Sequence, residues 1–372
     1  MAGATSVLTF IAGHANGGVE TLTSFPLPER FANACISYTI YLWKAFWPFR
    51  LGVLYPLKPP DPGAALLAGL FLLAITAIAL GTTGKHPYLA VGWLWYLGTL
   101  VPVSGVVQAG VQSHADRFTY LPLVGCSIAL VWAIADVAAN NPILRQGAGI
   151  LAGAMLLLLA VGAHAQAAYW RDSVTLFQHT LDVTQRNYII LNSLGVRLAL
   201  NGRHDEAMAD YQQAISINPG YAEAHANVGH ELLLAGKVEE AYGPLVEALR
   251  LKPDLAIPQD DLGVVLMEHG NFEEARPHVE ESVRLAPANA ELQSNLCLDL
   301  QRLGRLDEAL AHCDEALRLK PDFVNGHFNR GTALAAEGKN AAAEAELERV
   351  LAADPNHADA RATLERLRTA HH

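Results

Sequence analysis

Five prolines in the C-terminal half of this chain recur at one unvarying interval: Pro219, Pro253, Pro287, Pro321 and Pro355. A fixed period of about 34 residues marks a stacked repeat, a helix–turn–helix unit that cannot bury its apolar face alone. With proline as position 32, the units begin at 188, 222, 256, 290 and 324. Position 8 then reads Gly195, Gly229, Gly263, Cys297 and Gly331, and position 20 reads Ala207, Ala241, Ala275, Ala309 and Ala343. Position 27 reads Ala214, Ala248, Ser282, Ala316 and Val350. Small residues recur where two helices cross, because a large side chain holds backbones apart. Gly202, Gly236, Gly270, Gly304 and Gly338 mark the turn between helices, where a helix C-cap needs positive φ. The proline then stops the second helix.

These columns, and text such as LNSLGVRLALNGRHDEAMADYQQAISINP (191–219), resemble bacterial tetratricopeptide repeats over 188–357. Upstream, 168–187 fits the second helix of a degenerate unit in the same register, with Ser173 at position 20, Phe177 at 24 and Thr180 at 27. Downstream, 358–372 reads as a polar capping helix and tail, the wettable last face such an array needs.

Charge divides at the same boundary. Residues 1–167 hold 7 Lys+Arg and 5 Asp+Glu, and residues 168–372 hold 19 and 32, a net of −13. An acidic array does not favour nucleic acid, which wants a basic stripe. Pairs such as Glu239-Glu240 and Glu273-Glu274 read as solvated helix faces.

Residues 1–167 read as a polytopic membrane region. Uncharged or nearly uncharged segments at 64–81, 88–108, 118–138 and 147–165 are long enough to span, the second interrupted by Pro102 and Gly105. A fifth segment, 31–48, is aromatic-rich but carries Lys44. It reads as a short or tilted span with the lysine snorkelling, or as an interfacial helix. Residues 1–30 lack the basic start of a signal peptide and read as the tail of a helix that begins earlier. Flanking charges split almost evenly between sides, so orientation is weakly encoded.

HADRFTYLPLVG (114–125), the upstream RFANACISYTIYLWKAFWPFRLGVLYP (30–56) and the junction YWRDSVTLFQHTLDVTQRN (169–187) resemble polytopic bacterial membrane proteins that end in tetratricopeptide repeats. These are similar to the transmembrane-and-tetratricopeptide O-mannosyltransferases, within the GT-C class of glycosyltransferases. The resemblance implies a bacterial inner-membrane protein with repeats on the periplasmic or extracytoplasmic side. It also implies a polyprenyl-phosphate sugar donor and a protein acceptor presented by the repeats. In that family the catalytic acids lie in the first extracytoplasmic loop. Here the membrane half has only Glu20, Glu29, Asp61, Asp116 and Asp136, none forming an acidic pair, so no catalytic residue is assigned. The chain reads as an N-terminally truncated relative.

Several residues carry a functional reading beside a structural one. Asp116, Arg117 and Tyr120 sit between two spans. An arginine at a membrane edge can grip a lipid phosphate through two hydrogen bonds, or the Asp–Arg pair can simply anchor a helix end. Asn192, His230, Asp260, Met267, Gln301, Asn325 and Phe328 fall at positions 2, 5, 9 and 12 of the first helices, the positions expected to line a concave peptide groove. Cys297 and Cys313 occupy positions 8 and 24 of one unit; they could bridge in an oxidising compartment or serve as two small packers. Fifteen histidines form no His-Glu-x-x-His pattern, so no metal site or cofactor is expected.

The expected fold is all-α: a multi-span helical membrane domain, then a right-handed tetratricopeptide-repeat α-solenoid. The expected function is a membrane-anchored interaction protein that binds a protein or peptide segment and contacts membrane lipid. The alternative is a glycosyltransferase active once further N-terminal helices complete it.

Overall fold

A computed structural model describes residues 26–48, 51–103 and 112–369; the side chains of Pro102, Gln112 and Arg117 are outside the description. Residues 1–25, Arg50, the end of the 88–108 segment and the terminal His371–His372 therefore lie outside the described residues. The chain forms two compact units, Met1–Asn201 and Gly202–His372.

In the second unit helices alternate with short turns. They are α8 (His204–Ile217), α9 (Ala222–Leu234), α10 (Val238–Leu251), α11 (Ala256–Glu268), α12 (Phe272–Leu285), α13 (Ala290–Arg302), α14 (Leu306–Leu319), α15 (Val324–Ala336), α16 (Asn340–Ala353) and α17 (Ala358–Thr369). The small-residue columns are the crossing points. Ala207, Ala241, Ala309 and Ala343 are fully buried, and so are Ala214, Ala248, Ser282, Ala316 and Val350. Position 8 faces position 24. A Cβ on Gly229 would lie 2.5 Å from Leu245 Cγ, and one on Gly263 would lie 2.4 Å from Val279 Cγ2. Where the column breaks to Cys297, its opposite number is Cys313, and the two sulfurs are bonded, linking α13 to α14. The turn glycines 202, 236, 270, 304 and 338 all have φ between +72° and +83°, a conformation that costs other residues energy.

A further periodic contact runs through the proline column. Position 4 of each first helix reaches back to the carbonyl of the preceding unit's proline. His225 Nε2 lies 2.9 Å from Pro219 O, Gln259 Nε2 3.0 Å from Pro253 O, Gln293 Nε2 3.0 Å from Pro287 O, and His327 Nε2 2.9 Å from Pro321 O. Arg361 makes the same bond to Pro355 O. Each proline stands two residues past the end of a second helix, outside its hydrogen-bond ladder, and this clasp gives its carbonyl a partner.

In the first unit, α1 (Leu27–Phe46), α2 (Pro62–Gly81), α3 (Pro87–Leu100), α4 (Tyr120–Ala138) and α5 (Pro142–Tyr169) precede α6 (Ser173–Val183) and α7 (Tyr188–Leu200). Helices α2, α4 and α5 are each long and apolar enough to cross a membrane, by length and composition. Helix α5 buries no residue along its whole length. The expected 88–108 span is described as far as Val103. Regular α-helix stops at Leu100 and gives way to a 3₁₀ turn over Val101–Val103, which contains Pro102. Helices α3 and α4 cross at Gly92 and Gly125, where a Cβ would lie 2.4 Å (on Gly92) or 2.5 Å (on Gly125) from the other's carbonyl oxygen. Buried aromatic polar groups find partners here: Tyr96 OH donates to Tyr38 O at 2.6 Å, Tyr38 OH to Leu97 O at 2.8 Å, and Trp93 Nε1 to Thr76 Oγ1 at 2.8 Å.

One feature departs from an all-helical reading of the first unit. A short antiparallel pair, β1 (Tyr55–Pro56) and β2 (Gln112–His114), aligns Tyr55 with His114. The segment 51–58 acts as a strap. Leu51 O accepts from Gln166 Nε2 at 3.3 Å and faces His179 Nε2 at 3.1 Å. Val53 N donates to Thr180 Oγ1, Asn187 Nδ2 to Leu54 O, and Lys58 Nζ to Gln185 O. Helix α6, the degenerate repeat helix, is thereby tied to the loop that follows α1.

Candidate functional site

The repeat groove is formed by the first helices of three consecutive units, α9, α11 and α13. They leave a cavity of about 600 Å³. Its walls come from positions 2, 5, 6 and 9: Glu223, Asn227, His230, Asp260, Asp261 and Asn295 among them, with Leu255, Ile257 and Pro258 as apolar rim. Residues three and four apart share one helix face, which is why these positions converge.

The polar walls are cross-linked between units. Asn295 Nδ2 donates to Asp260 Oδ2 at 2.6 Å, and Asn329 Nδ2 donates to Ser294 O and Oγ at 3.1 and 3.0 Å. In both cases position 6 reaches back to position 5 of the preceding unit. His230 Nδ1 stands 3.0 Å from Asp261 Oδ2, and the hydrogen bond to that carboxylate raises the imidazole pKa. Burial pushes the Asp260 carboxyl up to about 7. Burial does the same to Asp299, with the Asp260 charge adding to it. Asp260 Oδ1 and Asp299 Oδ2 accept no hydrogen bond.

Of the expected groove residues, His230 and Asp260 line this cavity. Met267 does not belong to the groove: it is 6% exposed and part of the core with Val279, Leu296 and Leu300, because position 12 turns inward. Gln301 accepts from Thr332 Oγ1 at 3.1 Å in the next unit. Asn325 is exposed. Phe328 leans toward the capping helix, its ring 4.8 Å from His357. Asn192 is buried on α7 in the first unit. Position 6 is absent from the expected groove set, although its column (Ser193, Asn227, Asp261, Asn295, Asn329) is as regular as the others.

The membrane-half candidates resolve differently. Asp116 opens a 3₁₀ turn (Asp116–Thr119) just after β2. Its Oδ1 takes Lys44 Nζ at 2.6 Å, and its Oδ2 takes Tyr55 OH at 2.8 Å and Gly52 N at 3.2 Å. Lys44 thus does not snorkel: it is largely buried, paired with Asp116 and 3.7 Å from the centre of the Tyr55 ring. His114 stacks on Tyr55 at 4.2 Å, and burial, helped by the Lys44 charge, lowers its pKa to about 3. Burial and the Asp116 charge raise the Tyr55 phenol. This places a neutral imidazole and a neutral phenol against one buried ion pair. Tyr120 is 80% exposed at the start of α4, and the Arg117 side chain lies outside the described residues. On α1, Arg30, Asn33, Ser37, Tyr41 and Lys44 form one polar stripe at helical spacing, with the first four buried. Asn33 Nδ2 and Ser37 Oγ both donate to Ser113 O, and Ala115 N donates to Tyr41 OH. Strand β2 covers the stripe. Among the described residues no three His, Cys, Asp or Glu side chains gather as a metal site.

Tetratricopeptide-repeat families match residues 195–233, 261–322 and 324–357. The Drosophila melanogaster protein O-mannosyl-transferase Tmtc3 is 29% identical over 136 residues, 36% of this chain and 15% of that protein. The Mus musculus protein O-mannosyl-transferase TMTC1 is 26% identical over 161 residues, 42% and 17%. The chain thus spans less than a fifth of the length of these relatives. Among solved structures, YrrB, described as a TPR protein with an unusual peptide-binding site, is 21% identical. That alignment covers 51% of this chain and 97% of YrrB, with a TM-score of 0.40. The chain therefore carries tetratricopeptide repeats after three apolar helices, and over part of its length it is distantly similar to protein O-mannosyl-transferases.

Proposed function

We propose that this is a membrane-anchored repeat protein whose groove holds an extended protein segment at the surface of a bilayer. The observation that carries the reading is the cavity spanning α9, α11 and α13, walled by amide side chains at position 6. Asn227 and Asn295 line it, and a carboxamide carries both donor hydrogens and acceptor lone pairs, the chemistry that complements a peptide backbone. The three apolar helices of the first unit supply the anchor. The Cys297–Cys313 bridge favours an oxidising, extracytoplasmic side for the repeats, and a bacterial inner membrane is the setting this reading adopts.

The test is direct. The full chain in lipid nanodiscs is incubated with a fluorescent array of random decapeptides, and the double variant N227A/N295A is run beside it. Retained peptides that the variant releases support the reading. Equal retention by both proteins would sink it.

A second reading draws on the similarity to protein O-mannosyl-transferases. In it the membrane half takes part in sugar transfer from a polyprenyl-phosphate donor, and the repeats present the acceptor. The Lys44–Asp116–Tyr55 cluster then positions the strap, since both Asp116 oxygens are already engaged. Arg117 and Tyr120 are left as the lipid-phosphate contacts. With further N-terminal helices supplied, mannosyl transfer from a polyprenyl-phosphate sugar donor to an acceptor peptide, lost in Y120F and R117Q, is the expected result. Transfer unchanged in both variants removes these residues from the reading.

A further inference from the structure

Four carboxyl groups line the groove cavity, Glu223, Asp260, Asp261 and Glu291, and no lysine or arginine does. The outer two are already paired: Glu223 with Lys252 Nζ at 3.0 Å, Glu291 with Lys320 Nζ at 3.8 Å. The inner two are adjacent in sequence and less well served. Asp261 has His230 at 3.0 Å. Asp260 is 5% exposed, receives Asn295 at one oxygen, and has no hydrogen bond at the other. The nearby Ser282 hydroxyl donates to Val279 O at 2.8 Å and also bears on the Asp260 carboxyl, lowering its pKa against the larger effect of burial. A buried carboxyl oxygen without a donor is costly, and a cation is the group that relieves it best. The rim is apolar: Leu255, Ile257, Pro258 and Leu292 line the same cavity. That combination, an apolar collar above an acidic floor, fits a long aliphatic stem carrying a positive head.

We propose that the groove is selective for a segment bearing a lysine or arginine, whose side chain enters the cavity between α9 and α13 and lodges its cationic head against Asp260 and Asp261. This rests on the peptide-binding reading above and names the chemistry of the partner. The net −13 of residues 168–372 would steer such a segment toward the array.

The test uses the full chain in nanodiscs and the same random decapeptide array, scored position by position. The expected result is enrichment of Lys and Arg at one position. D260N and D261N should each weaken the enriched peptides about thirtyfold, as for removal of one member of a desolvated charge pair. Because D260N could disturb the Asn295 contact, a second measurement uses the unaltered protein. Nα-acetyl-lysine amide should compete the enriched peptides off, and the uncharged Nα-acetyl-norleucine amide, which keeps the four-carbon stem and lacks the ammonium, should not. Peptides retained through Asn227 and Asn295 without basic preference would overturn this inference and leave the peptide-binding reading standing. No retained peptide at all would overturn both.

Discussion

Gly263 sits at the crossing of α11 and α12, and an added Cβ would meet Val279 Cγ2 at 2.4 Å. Alanine gains roughly 1 kcal/mol of helix propensity over glycine, but overpacking a tight core costs about 1–3 kcal/mol. G263A should therefore lower the melting temperature, and V279A in the same chain should recover part of the loss, a coupling that separates the clash from a general effect. Gly331 is the contrast. Its Cβ would stand 3.2 Å from Leu347 Cγ, against 2.4 Å at Gly263, so G331A should cost less than G263A by the same circular-dichroism melt. The buried carboxyls predict a pH effect. Asp260 and Asp299 both have folded pKa values raised to about 7 against 3.8 unfolded. The folded state holds protons that the unfolded state has released, so stability is greatest below about pH 4 for these groups and falls as pH rises toward 7. The groups facing Asp260 are Asp261, His230, Asn295 and Ser282. His230, raised above 6.5 by Asp261, loses its contribution in the same direction as pH rises through its folded value. Melts between about pH 5 and 8 should show the decline, on the order of 2 kcal/mol or more per carboxyl. D299N should shrink it, and a flat profile in the unaltered chain would contradict the assignment.

At the scale of elements, the helix pair α13–α14 is the one where a covalent bond replaces a glycine contact. Neighbouring units set Gly229 against Leu245 and Gly263 against Val279, while here Cys297 is bonded to Cys313 at a sequence separation of 16. Closing a loop of that length is worth about 3 kcal/mol in the chain-entropy model. Serine at both positions should cost roughly that much. The pair C297G/C313L, which copies the neighbours, should cost less, as read by denaturant melts. The strap makes a second prediction. Breaking one partner of a buried ion pair costs about 3–5 kcal/mol, so D116N should leave Lys44 uncompensated and free the strap. Faster proteolytic cutting within residues 51–60 in D116N than in the unaltered chain is the expected readout. These two elements also mark where sequence was informative. The repeats are local, built from contacts that recur once per unit, and their helices, turns and crossing points can be located from one chain. The strap is not. It depends on Tyr55 meeting His114 and on Leu54, Val53 and Lys58 meeting residues far along the chain, through strands too short for any alternation to register. Lys44 read as a snorkelling lysine because its partner Asp116 is remote in sequence, beyond two intervening helices. Met267 read as a groove residue because position alone does not say which way a side chain turns.

For the molecule as a whole, the three apolar helices predict that the chain stays with membranes after alkaline carbonate extraction. The cysteines predict something separable from that. In intact cells under non-reducing conditions, a membrane-impermeant maleimide should leave Cys297 and Cys313 unlabelled until a reductant is added. Labelling without reductant would contradict the bridge, and no labelling even after an impermeant reductant would contradict an extracytoplasmic side for the repeats. The position-4 clasp carries a consequence of another kind. Because His225, Gln259, Gln293, His327 and Arg361 each reach one proline carbonyl back, every junction between units is closed in the same way. A duplication or deletion of one whole period within residues 222–357 recreates such a junction and leaves each proline carbonyl with its partner. Genes encoding such an array can therefore change its reach by unequal recombination in whole steps of one period, each new junction closed by the same bond.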